Sequence, residues 1–223
     1  MDKKRADYIN FPVELLAGFL DGDHRANMLN FISWEYGTRA ENGENLEDFL
    51  EIIEMEPYGN DIAERALRLR ETVKPSAYTG LTADLWKSFI FEEKIEKEKV
   101  TLLAFLAAKS IVGEDPYKRL TALFIYSRME GRRDGVDFYA ELSTIIQKYS
   151  SQHHQQRIRE ELEEYYGLQW VLSRGWYFSF TMSYEELYRA VTTKRRKKKE
   201  KTEKLSSEKK AIREKVNRET RPG

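Results

Sequence analysis

The chain has 223 residues, 40% hydrophobic and 34% charged, with no cysteine; this is enough for one large domain or two small ones and excludes disulfides, thiolate metal sites and thiol catalysis. Charge is balanced overall but not along the chain. Residues 194–223 hold 14 Lys+Arg against 5 Asp+Glu, which leaves 24 against 33 in residues 1–193, so a tail of +9 follows a body of −9. The first twenty residues carry Asn10, Pro12 and Glu14 among their apolar positions, so they do not read as a signal peptide, and the longest nearly apolar run, 100–108, is too short to span a bilayer. A cytoplasmic protein with no membrane association is the expectation.

In chain order, Pro12 is placed to open a first helix, with Val13, Leu15, Leu16, Phe19 and Leu20 on its apolar side. Residues 24–36 and 46–55 follow as amphipathic helices separated by a loop at 37–45. Asn60 or Asp61 caps a fourth helix that ends near Val73, and Thr82 caps a fifth over 83–93. The charged stretch 92–99 is a candidate domain boundary. Residues 100–112 are apolar nearly all round, as a buried central helix must be. Asp115-Pro116 then reads as an N-cap and first turn for a helix over 117–129, and 136–149 as an additional helix.

The stretch from Ser150 to Phe180 organises the rest. Ile158, Leu162 and Tyr165 or Tyr166 mark one face of a helix that Gly167 ends. Two β-type runs, 168–172 and 176–180, flank Ser173-Arg174-Gly175, a hairpin signal, with Trp176, Phe178 and Phe180 most simply on the core face. Residues 184–191 follow, with Leu187 and Val191 placed to pack back on the domain.

A helix with Arg157-Ile158 and Leu162, a Gly167-Leu168 stop and an aromatic strand after a glycine resembles the last third of winged helix-turn-helix DNA-binding proteins. The resemblance implies that 100–112 is the core helix, 117–129 the supporting helix, 152–166 the recognition helix and the hairpin the wing. The segment 136–149 departs from the family's short turn; either it is an insertion or it is itself a helix of the motif. The expected class is therefore mainly α: a helical N-terminal region (1–93), a winged-helix-like region with one β-hairpin (94–193) and a disordered or helical basic tail (194–223). The opening Tyr8-Ile9-Asn10-Phe11-Pro12 also looks like the start of short replication-related or unassigned proteins of phages and mobile elements.

Double-stranded DNA is the expected partner, with a protein–protein adaptor as the alternative, because the body is acidic and winged-helix folds serve both ends. Glutamine can reach adenine edges, arginine guanine edges, and a helix N-terminus phosphate, so Gln152, His153, Gln155, Gln156, Arg157 and Arg159 are the candidate base-reading set. Arg174 is the candidate wing-tip contact. Lys194, Arg195, Arg196, Lys197, Lys198 and Lys199 are candidate phosphate contacts, although a solvated tail or an anionic membrane would suit them too. Glu160, Glu161, Glu163 and Glu164 would have to face away from phosphates. His153 and His154 are adjacent on a helix and cannot share one metal ion, and no GxxxxGK[ST], GxSxG or HExxH motif occurs, so neither cofactor, metal nor catalysis is expected.

Overall fold

The computed structural model describes residues 8–173 and 175–219. Its chain is mainly helical, with two small antiparallel sheets.

The first sheet pairs β1 (Tyr8–Pro12) with β2 (Tyr78–Thr82), in register from Tyr8 opposite Thr82 to Pro12 opposite Tyr78. A helix was expected from Pro12; instead Pro12 ends a strand and is followed by one 3-10 turn, Val13–Leu16. The reason lies in Ile9, Phe11 and Val13, which are fully buried and alternate with period two, and in Val13 N–H, which continues the ladder by donating to Ala77 O at 3.0 Å. Gly80 is required opposite β1, since a Cβ there would collide with the Ile9 carbonyl and the Tyr8 ring.

Around this ribbon stand α1 (His24–Glu41), α2 (Leu46–Ile53), α3 (Gly59–Thr72) and α4 (Ala83–Phe91). Asp23 and Asn45 cap α1 and α2 by accepting from the Arg25 and Asp48 backbone N–H groups. α1 runs through Gly37, where a loop was expected. A Cβ at Gly37 would meet the Arg70 stem on α3 at 3.3 Å, so this glycine sets how closely α1 and α3 approach rather than breaking the helix.

α5 (Glu96–Val112) is the central element. From Val100 to Val112 every residue is buried except Lys109 and Ser110. It starts earlier than its apolar run because Glu96 and Glu98 favour a helix N-terminus, and the Glu98 carboxylate accepts from Ile95 N–H at 2.9 Å. Thr79 on β2 donates to Leu106 O in the interior at 2.9 Å. One hydrophobic cluster extends from Ile9 to Phe178, so the core is continuous across the boundary expected at residues 93 and 94.

After α5 come β3 (Lys118–Leu120), α6 (Ala122–Met129), α7 (Thr144–Gln147), α8 (Gln152–Tyr166), β4 (Gln169–Leu172), β5 (Trp176–Ser179) and α9 (Tyr184–Glu219). The three strands form an antiparallel sheet in the order β3-β5-β4. A helix over 117–129 was expected. Instead Lys118, Arg119 and Leu120 pair with Phe178, Tyr177 and Trp176, and α6 starts only after Thr121, whose hydroxyl accepts from Phe124 N–H. The expected helix over 136–149 is likewise replaced, by a 3-10 turn (Tyr139–Glu141) and the short α7. Side-chain bonds to backbone hold this segment: Glu141 accepts from Asp137 and Phe138 N–H, and Tyr126 OH donates to Tyr149 O.

Gly167 ends α8 as read, in the left-handed region (φ 66°), with Leu168 N–H donating to Leu162 O and Gly167 N–H to Glu163 O. The hairpin also forms where expected, and alternation gives its sheet two covered faces. Phe178, with Trp176 and Trp170 beside it, faces the main core; Val171 and Tyr177 lie with Leu187 and Val191 of α9 on the other side. α9 is one continuous helix in which the segment read as 184–191 runs on through the basic tail to Glu219. Among the described residues no helix is long and apolar enough to cross a membrane.

Candidate nucleic-acid interface

α8 begins at Ser151, whose hydroxyl accepts from His154 N–H. Its packed side is set by Ile158 and Leu162 against α5, so the helical period turns Gln152, His153, Gln156 and Arg157 outward, all exposed. Three of the expected base-reading residues also bond within the protein. Gln155 is half-buried, and its amide donates to Ser150 O at 2.6 Å and to the Tyr139 hydroxyl at 3.2 Å. Gln156 donates to Glu160 at 2.9 Å, and Arg157 to Glu161 at 3.2 Å.

Arg159 is a correction. It was expected at the surface, but only 8% of it is exposed, and its guanidinium lies 3.6 Å from the centre of the Trp176 ring and 5.5 Å from that of Trp170. Burial holds its pKa below the ordinary arginine value, with Tyr126 and Glu160 acting in the opposite direction. A guanidinium stays charged even so, and it stacks on indole faces where an ammonium would be left solvent-starved. The sequence shows only that Arg159, three residues before Leu162, lies beside the apolar face; the two indoles that cover it there come from the hairpin.

Glu161 is the second correction. Read as part of the acidic exterior, it is buried and accepts from Thr101 Oγ1 at 2.6 Å, Lys97 Nζ at 2.6 Å and Arg157 Nε at 3.2 Å. Burial alone would raise its carboxyl, but the bonds from Lys97, Thr101 and Arg157 outweigh that and hold it below the usual carboxylate range. Glu160, Glu163 and Glu164 do face solvent, so the outer face of α8 is polar and neutral at its start and acidic toward its end.

The basic groups gather instead at the hairpin tip. Arg174, the expected wing contact, lies outside the described residues. On either side of it, Ser173 N–H donates to Gly175 O at 2.9 Å. Gly175 has φ 147°, and a Cβ there would collide with the Arg119 guanidinium, so Arg119 of β3 lies directly against the turn. Arg195 of α9 reaches the same turn, donating to Ser173 Oγ at 3.2 Å. Beside it Lys194 Nζ sits 5.5 Å from the Tyr117 ring centre, while Lys118 pairs with Asp115 at 3.2 Å. Arg119 was missed because its segment was read as helix, and a three-residue strand buried only at Leu120 offers no alternation that would have marked it.

Beyond the tip, every residue from Lys194 to Lys209 is exposed. Arg196 pairs with Glu200 and Lys199 with Glu203, each at 3.6 Å across one helical turn. Among the described residues, no group of three His, Asp or Glu side chains is placed to hold a metal ion. The chain matches no protein-family profile, no curated protein and no solved structure.

Proposed function

We propose that the chain is a non-enzymatic double-stranded-DNA-binding protein, serving replication or transcription of a phage or mobile element, and that residues 96–179 are its winged-helix-like unit. The observation that carries this reading is the convergence of Arg119 and Arg195 on the tip of one hairpin, with Lys194 beside them. The element order supports it: core helix, short strand, helix, recognition helix, then a hairpin whose second strand lies between the other two. In this arrangement the tip and the root of α9 contact phosphates and supply affinity, whereas Gln152, His153 and Gln156 on the outward start of α8 meet base edges. Arg174 belongs with the phosphate group by sequence. The segment between α6 and α8 is an insertion under the start of α8, fastened to it through Tyr139 and Gln155.

Anisotropy titrations against a random duplex pool at two salt concentrations test this. Joint substitution of Arg119 and Arg195 by Gln is expected to weaken binding to all duplexes on the order of tenfold, with the salt slope reduced by roughly 0.9 for each phosphate that is no longer neutralised and sequence ranking retained. One observation favours the adaptor alternative: the outward Glu160, Glu163 and Glu164 would repel a phosphate backbone laid along all of α8. Absence of duplex binding by the unsubstituted chain at low salt removes the DNA reading and leaves the adaptor.

A further inference from the structure

α9 changes chemistry along one seam. Leu187 and Val191 are buried against the hairpin. Carried onward by alternating steps of three and four residues, the same face continues through Lys194, Lys198 and Lys201 to Leu205. Lys197 and Lys204 flank it, and the next acid on that side is Glu208. Arg196, Lys199, Glu200 and Glu203 lie on the opposite side, where the two basic residues are paired with the two acids. The seam is thus apolar where the protein's own sheet covers it and lysine where the sheet ends, at the tip that Arg195 touches.

We infer that this lysine seam is a second phosphate-binding surface, on which the duplex held at the wing tip continues along α9. The inference rests on the DNA reading above and adds the face, the residues and the direction of the bound polyanion. The direction follows from continuity: the seam points the same way as the face that docks on the hairpin, so a duplex against the tip runs under it. The span fits, since Lys194 to Lys204 covers about 15 Å of helix, over which one strand of B-DNA presents about four phosphates. Two other occupants fit worse. A second copy of the same helix would bring lysines against lysines. An anionic bilayer needs a broad apolar face beside the basic one, and between Lys194 and Lys209 the only large apolar side chain is Leu205.

Two charge-matched variants of the full chain separate position from net charge: Lys198→Gln with Lys201→Gln on the seam, and Arg196→Gln with Lys199→Gln opposite. Glutamine keeps helix propensity, so circular dichroism should match the unsubstituted chain in both. Titrations against a duplex of random sequence, about 40 base pairs long, at roughly 0.05 and 0.2 M salt are expected to show an affinity loss on the order of tenfold and a slope shallower by roughly 1.8 for the seam variant. Arg196 and Lys199, read from the sequence as phosphate contacts, face away from the seam beside Glu200 and Glu203, so the opposite-face variant should stay within about twofold. Equal losses in both variants, or none in either, overturn the seam and leave the DNA reading standing. Failure of the unsubstituted chain to bind duplex removes both. Seam-dependent binding to phosphatidylserine vesicles without duplex binding overturns it in favour of a membrane.

Discussion

α8 and α9 cover opposite faces of the same three-stranded sheet, and both carry basic residues that read alike as nucleic-acid contacts. Their charges meet opposite fates. On α8, Arg159 is stacked on two tryptophans, and Arg157 is committed to a carboxylate that also holds Lys97. On α9, the lysines past the hairpin stand in solvent, and those on the seam have no acid on their own side until Glu208. The contrast teaches that a basic residue next to an apolar face is a packing element first. Its charge serves the fold when an aromatic surface lies within reach, and it is left over for a partner only when the fold ends.

The largest test of this contrast is Arg159→Ala. If Arg159 holds α8 to the hairpin, removal should cost about 2–4 kcal/mol, as emptying other well-packed sites does, and should shift the tryptophan emission. Arg159→Lys should recover only part, because an ammonium cannot lie flat on Trp176. An unchanged urea midpoint would return Arg159 to the surface and erase the difference between the two helices.

A smaller effect is expected at Glu161. Glu161→Gln leaves Lys97 and Arg157 half-exposed and able to regain water, so the cost should be about 1 kcal/mol. The folded carboxyl titrates below its unfolded value, so its stabilisation is complete above about pH 4.3 and is lost as pH falls through the lower folded pKa. The gap between the two proteins in denaturant titrations should therefore be present at neutral pH and close in acid. A gap that persists undiminished to about pH 2 would show that shape, not charge, is at stake.

The smallest stability effects belong to the outward start of α8. Gln152→Ala and Gln156→Ala should change stability by no more than about 0.5 kcal/mol. On the proposed function they should nevertheless blunt discrimination among duplex sequences by about 1–3 kcal/mol per bidentate contact. Retained discrimination in the double variant would confine α8 to the fold and leave the hairpin tip and α9 as the whole interface.

Read alone, the amino-acid sequence was sufficient for whatever depends on neighbours within a few turns. Periodicity located α2, α3, α4, the apolar run of α5 and nearly all of α8, although Asn60 and Asp61, read as caps, lie inside α3, which Tyr58 precedes; the Gly167 stop and the hairpin followed from local conformational preference. Distant pairing decided the rest. Tyr8–Pro12 and Lys118–Leu120 are strands because β2 and β5 lie beside them, and three- to five-residue segments carry too little pattern to announce that. Arg119 and Arg195 are 76 positions apart and meet only because the sheet brings β3 to the hairpin and α9 runs back along it. Arg159 and Glu161 were recognisable as charged but not as buried, since burial of a charge depends on whether the tertiary structure supplies two indole faces, or a lysine and a threonine, at the right place. Local free energies are written in the order of residues; the pairing of a charge is settled by what the fold sets next to it.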